Sequence, residues 1–195
     1  DVLYAIVGTV SGTSISFGSE VTVLSSETQH HGLVFDTTNN KVVLAFRDQD
    51  DSGKGKAVVG TVSGTSISFG SAVEFGPSGN YLSGMGNGTV FDSSAGKVVI
   101  VYGKSNQVLE AVVGTVSGTS ISFGSSVEID SNVVLKSIGA SYDSAAQKIA
   151  VTYGDGGNAN DLVLNVGTVS GTSISFDGVT QLDSANNSAD SASDN

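Results

Sequence analysis

Cysteine and tryptophan are absent from this 195-residue chain, and proline occurs once. Without cysteine there is neither a disulfide framework nor a thiolate metal site, although an extracellular setting stays open. Positive charge is scarce. Eight lysines and arginines stand against 19 acids, for a formal net charge of −11, and Arg47 is the single arginine. Neutralising phosphates takes clustered Lys and Arg, which excludes a nucleic-acid binder and disfavours an anionic membrane surface. No apolar run approaches the ~20 residues that span a bilayer as a helix. The opening Asp1-Val2-Leu3-Tyr4 has no basic start and no Met, so no signal peptide is visible. The chain reads as a mature product, an excised fragment or a part of something longer.

Glycine is abundant, at 26 residues, alongside many Val, Ile, Thr and Ser. That is the vocabulary of strands and tight turns. The string V-G-T-V-S-G-T-S-I-S-F occurs four times unchanged, at 7–17, 59–69, 113–123 and 166–176, with spacings of 52, 54 and 53 residues. Between copies a looser element recurs: Phe35-Asp36 to Lys41, Phe91-Asp92 to Lys97, and Tyr142-Asp143 to Lys148. An apolar run follows each: Val42 to Phe46, Val98 to Tyr102, and Ile149 to Tyr153.

One copy parses into four strands. Gly88 to Phe91 is the first, and a turn over Asp92 to Gly96 leads to the second, Lys97 to Tyr102. The second is apolar at every position after Lys97, as expected of a strand buried on both faces. Leu109 to Val116 is the third, a Ser117-Gly118 turn follows, and Thr119 to Phe123 is the fourth. Ile121 and Phe123 alternate with serines, which gives that strand one apolar face. Four strands per repeat, no helix signal and a period near 50 predict an all-β fold of the β-propeller type. Each small sheet then buries its faces against its neighbours, Ile121 and Phe123 meeting the apolar strand of the next blade. A β-solenoid and a β-sandwich are the competing architectures.

The repeat domain spans 1–182 and holds about 3.5 blades. Propellers carry 4–8, so ring completion calls for a longer parent chain or for a homo-oligomer, and an open array with protected ends is the third possibility. Residues 183–195 form an acidic Ser/Ala/Asn-rich tail with almost no hydrophobes, expected to be mobile.

Candidate sites fall outside the invariant string. The acidic loops after the second strand carry Asp48 and Asp50 in one copy and Asp155 and Asp161 in another. Arg47-Asp-Gln-Asp-Asp-Ser-Gly53 matches the start of a calcium loop, but the twelfth position from Asp48 is Val59, where a bidentate Glu is needed. Weak calcium binding is the metal-site reading, and a solvated charged loop the plainer one. Segments linking one blade to the next diverge most, with His30 and His31, then Tyr81 and Met85, then Lys136. Variable segments on constant strands suit ligand binding, and Tyr81 offers a ring face and a hydroxyl to a sugar. No nucleophile–base pair and no phosphate-cradling loop stands out, so no catalytic residues are assigned and no enzyme activity is expected.

The invariant hairpin resembles the Asp box of sialidase-like propellers, with Ser11, Ser63, Ser117 and Ser170 at the Asp position and no Trp. Sialidase chemistry holds a carboxylate with three arginines, and this chain has one. The string V-G-T-V-S-G-T-S-I-S-F-G-S, followed by V-F-D-x-x-x-x-K-V-V-I-V-Y, resembles repeats of tail-fibre-like surface proteins from marine bacteria and bacteriophages. That resemblance covers nearly the whole chain before the tail. It implies a virion or extracellular setting and little about ligands. The variable blade-linking segments are what suggest a lectin-like, non-enzymatic module that recognises a glycan or cell-surface receptor. A purely structural virion or filament component is the alternative.

Overall fold

A computed structural model describes residues 2–76, 88–104 and 106–183. The described residues form no helix, and the strands follow a curled, half-barrel course. A first, partial unit comprises β1 (Leu3–Ala5), β2 (Gly8–Ser11), β3 (Ser14–Phe17) and β4 (Val21–Leu24). The second unit comprises β5 (Thr28–Asp36), β6 (Lys41–Asp48), β7 (Lys54–Ser63), β8 (Ser66–Phe69) and β9 (Val73–Glu74). The third comprises β10 (Thr89–Asp92), β11 (Lys97–Gly103), β12 (Val108–Ser117), β13 (Ser120–Phe123) and β14 (Val127–Ser131). The fourth comprises β15 (Val133–Asp143), β16 (Lys148–Asp155), β17 (Asp161–Ser170) and β18 (Ser173–Asp183).

Units two to four are antiparallel meanders. Their order is β5-β6-β7-β8, β10-β11-β12-β13 and β15-β16-β17-β18, with β9 and β14 returning to pair β7 and β12. In the partial unit β1 pairs β4 and β2 pairs β3, so only the third and fourth strand positions are filled.

The sheets stack face to face, and the second strand of each shows why. Val43 and Ala45 on β6 join one core with Val98, Ile100 and Tyr102 on β11. The intervening Leu44 and Phe46 join another core, against Leu3, Val23 and Leu24. On β11 the alternate residues Val99 and Val101 meet Ile149, Val151 and Tyr153 of β16. Side chains alternate between faces along a strand, so a strand apolar at every position feeds two cores. Val98 to Tyr102 are all 0% exposed. Each such side chain contributes about 1.5–3 kcal/mol on burial, which identifies these three interfaces as what holds the fold.

Three details differ from the sequence reading. Ile121 and Phe123 pack back onto Val43, Ala45, Ala57 and Val59 of the preceding sheet; Ile174 and Phe176 likewise pack on the third sheet. The direction of packing is therefore the reverse of that expected, because the apolar side of the fourth strand faces toward the N-terminus. The hairpin turn is Gly118-Thr119, since Ser117 still pairs with Ser120. Gly118 has φ 61 and Thr119 is not in the left-handed region, which is the demand of a turn with glycine at its first central position. The fourth strand also continues past Phe123, after a break, as β14.

The Asp–Lys elements are fixed by different partners from one another. Asp92 Oδ1 accepts the backbone N–H groups of Ser94 and Ala95, both at 2.9 Å. Asp36 does the same for Thr38 and Asn39, and Asp143 for Ala145 and Ala146. Each lysine instead crosses to the third strand, where Lys41 donates to Thr61 and Lys97 to Thr115, both at 2.8 Å, and Lys148 donates to Thr168. The threonine of the invariant V-G-T-V is thereby tied to the first hairpin.

Candidate binding site at the variable edge

In an antiparallel meander, the start of strand one, the loop between strands two and three, and the end of strand four share one edge of the sheet. Among the described residues, the loops between strands two and three and the segments leading into β5 and β15, which differ from copy to copy, fall on that edge. The invariant hairpin and the Asp-capped turn fall on the opposite one. Contacts within the variable edge join linker to loop. The amide of Gln49 donates to the Glu27 carbonyl at 2.8 Å, and the amide of Glu27 donates to Asp50 Oδ2 at 3.0 Å. In the next copy the amide of Asn132 donates to the Gln107 carbonyl at 2.9 Å.

This edge also holds most of the unusual backbone. Among the described residues eight non-glycine residues have positive φ, and His30, Ser52, Gln107, Asn132, Ala159 and Asn160 lie here. Such conformations cost about 1–3 kcal/mol each and gather where a chain is shaped for a purpose other than stability. His30, at φ 54, sits in a bulge where the β5–β6 register shifts between Gln29 and Gly32. The bulge breaks the simple alternation expected of two neighbouring histidines. His31 Nε2 and Thr28 Oγ1 share a hydrogen bond of 2.9 Å. Burial lowers the pKa of both imidazoles, and the Arg47 charge lowers that of His30 further.

Beside the histidines, the second sheet carries a charged network. Lys56 Nζ lies 2.8 Å from Asp48 Oδ2 and 2.7 Å from Asp51 Oδ2; Lys54 reaches Asp51 at 3.4 Å and Glu74 at 3.2 Å. Burial opposes the charge on Lys56, but the hydrogen bonds from its ammonium to Asp48 and Asp51 raise its pKa overall. The third sheet replaces this with a buried trio. Tyr102 donates to Glu110 Oε2 at 2.7 Å and Lys104 to Oε1 at 2.8 Å. Burial, and then the Glu110 carboxylate, push the Tyr102 pKa well up. Phe75 lies against Tyr102 and Phe123, with ring centroids 5.4 and 5.5 Å apart.

The carboxylates named as calcium candidates have protein partners. Asp48 faces Lys56, and Asp50 caps Glu27. Asp155 and Asp161 stand opposite each other across the β16–β17 turn. Asp155 Oδ1 accepts the Gly157 amide at 2.8 Å, and Asp161 Oδ2 accepts from Asn158 and Gln181 at 2.9 and 2.6 Å. Among the described residues no three His, Asp or Glu side chains converge as a metal site would require. Tyr81, Met85 and the tail after Asp183 lie outside the described residues. Lys136 is placed by its backbone in β15.

No family model, curated protein or solved structure matches this chain. The site therefore has to be argued from its own geometry.

Next to His31, a cleft of about 470 Å³ separates the partial unit from the second sheet. Leu3, Tyr4 and Ile6 form one wall; the other runs from His31 at the variable edge past Leu33 and Leu44 to Val62 and Ile67 of the unchanged hairpin. Leu33 is 67% exposed and Phe35 49%, whereas Phe91, at the place of Phe35 in the third sheet, is 9% exposed. Tyr4 is half exposed at the cleft. Sequence reasoning missed Tyr4 and Leu33, since each occupies an ordinary strand position. Among the described residues no helix is long and apolar enough to cross a membrane.

Proposed function

We propose that the stacked sheets are blades of a β-propeller-type scaffold and that the protein is a non-enzymatic binding module. It recognises a glycan or protein receptor at a cell surface, as part of a tail-fibre-like or other extracellular assembly. The observation that carries this reading is the concentration of the divergent loops, with six of the eight positive-φ non-glycine residues described, at one edge of sheets whose opposite edge carries the unchanged hairpin and the recurring Asp-capped turn. A rigid frame presenting divergent loops is the usual economy of a recognition scaffold. Radial stacking is supported by the close approach of first strands, where a Cβ on Gly32 would lie 2.3 Å from Thr89 Oγ1. The cleft supplies the contact chemistry. Tyr4 and His31 offer ring faces with polar tips, and Leu33 and Leu44 offer apolar area.

The test is retention of labelled protein on a glycan array and on immobilised cell-surface protein extracts treated or untreated with glycosidase. Wild type binds at least one of these, and Tyr4→Ala combined with His31→Ala reduces that binding tenfold or more without lowering Tm by more than a few degrees. Loss of signal on glycosidase treatment assigns the glycan reading, and its persistence assigns the protein receptor. Retention on no surface contradicts the proposal. That outcome leaves the second reading, a structural spacer, which the uncovered faces of the first and fourth units favour: Ile15 and Phe17 are 54% and 61% exposed at one end, and Leu162 and Val179 are 42% and 50% at the other.

A further inference from the structure

One contact recurs at every junction between units. A Cβ on Gly18 would lie 1.9 Å from the carbonyl oxygen of Thr65, and the same distance separates Gly70 from Thr119 and Gly124 from Thr172. Each glycine follows the invariant phenylalanine, and each threonine sits in the hairpin turn of the following unit. None of the three glycines has a positive φ, so what the position requires is space alone. Real Cβ atoms essentially never come closer than 3.0 Å to such an atom. The fourth strand breaks at this point in the first three units, as β3/β4, β8/β9 and β13/β14.

The fourth unit departs from the rule. Phe176 is followed by Asp177-Gly178 in place of Gly-Ser, and β18 runs unbroken from Ser173 to Asp183. At the other end of the stack the first hairpin has a free apolar face, with Val10, Ile15 and Phe17 72%, 54% and 61% exposed. Head-to-tail docking of that hairpin on the fourth sheet of a second copy would repeat the internal contact and propagate an open or closed polymer. It would also drive the Asp177 side chain into the Thr13 carbonyl, setting a carboxylate against a carbonyl oxygen in a space that holds only hydrogen.

We propose that Asp177 is a stop residue, which keeps the first hairpin of a second copy off the fourth sheet. A neighbour accepted at the first unit must then carry a fourth strand ending Phe-Gly-Ser, which this chain's own fourth unit lacks. Self-association into a ring by the repeat's own contact is closed by one side chain.

The experiment is sedimentation of the full chain across a hundredfold concentration range. Wild type shows no association that Phe17→Asp abolishes. Asp177→Gly, which removes the obstructing side chain and leaves Gly178 at its φ of 114, gains association that rises with concentration, and adding Phe17→Asp removes it. An Asp177→Gly variant with the mass of wild type at every concentration overturns the proposal, as does wild-type association that Phe17→Asp removes. Gly70→Asp provides an internal control on the mechanism. Overpacking there lowers Tm by on the order of 5–10 °C or prevents folding, and an unchanged Tm is equally fatal. Because the readout is mass and melting, the result is independent of whether any surface ligand is found.

Discussion

The two edges of each sheet obey different rules. At the invariant edge the same two ties recur from copy to copy: an aspartate on two backbone amides, and a lysine on the threonine of the third strand. At the variable edge each copy solves the problem in its own way, with Lys56 between two aspartates in the second sheet and Tyr102 and Lys104 on Glu110 in the third. Positive-φ residues concentrate there as well. Recurrent solutions mark what the fold needs, while idiosyncratic ones mark where the fold can spare stability for recognition.

Substitutions sharpen this contrast. The largest effect is expected at the invariant edge of an interior sheet. Asp92 is 2% exposed and holds two amides by charge-assisted bonds, so Asp92→Ala costs about 2–4 kcal/mol, at about 1.5–3 kcal/mol per bond to a charged group less what water restores at the exposed Ser94 and Ala95. Chemical denaturation with an unchanged m-value would establish this. A smaller effect here than at Asp50 would break the comparison.

Glu110→Gln comes next and tests whether the variable edge is soft throughout. Burial opposes the Glu110 charge, but hydrogen bonds from Lys104 and Tyr102 hold its pKa below the usual value. A folded pKa below the unfolded ~4.3 gives stability that is complete above that value and lost as pH falls through the folded pKa. The substitution should cost about 1.5–3 kcal/mol at neutral pH. Its cost should shrink on acidification toward the folded pKa, followed as Tm against pH. A cost independent of pH would remove the carboxylate from the explanation.

Asp143→Ala should cost less than Asp92→Ala, about 1 kcal/mol, although it makes the same two bonds. Asp143 lies on the last described sheet and is exposed, whereas Asp36 and Asp92 are covered by the unit that follows. Equal costs for the two positions would show that stacking adds nothing to the cap. Smallest of all is Asp50→Ala at the variable edge, within about 0.5 kcal/mol, because its partner amide on Glu27 is exposed and water can replace the carboxylate.

Much of this frame can be read from residues alone, and the reasons are local. Val98 to Tyr102 announces a strand buried on both sides because no face of it is polar. Asp92 followed by Ser-Ser-Ala-Gly announces a capped turn because the carboxylate bonds amides two and three residues on. The turn position was misread by one residue, since Ser-Gly and Gly-Thr serve a hairpin equally well until the pairing of Ser117 with Ser120 decides. The partner of Lys97 was not legible: the Asp92 carboxylate is consumed by its own turn, and the lysine is long enough to reach Thr115 on the third strand. Long-range features left no trace. The Gly70–Thr119 approach joins positions with no chemistry in common, and the cleft at Tyr4 and Leu33 joins residues of two different units, which no local pattern reports. Asp177 was visible as a departure from the repeat, but its meaning depends on that same approach.

The account rests on sheets that shield their apolar faces by lying against one another. Amide hydrogen exchange at single-residue resolution tests this most directly, because it separates strands covered on two faces from those covered on one. Protection should be greatest along β6, β11 and β12, whose residues reach 0% exposure, and at least a hundredfold weaker in the β2–β3 hairpin, whose residues are all exposed. Comparable protection in the hairpin and in β11 would contradict the stacked arrangement.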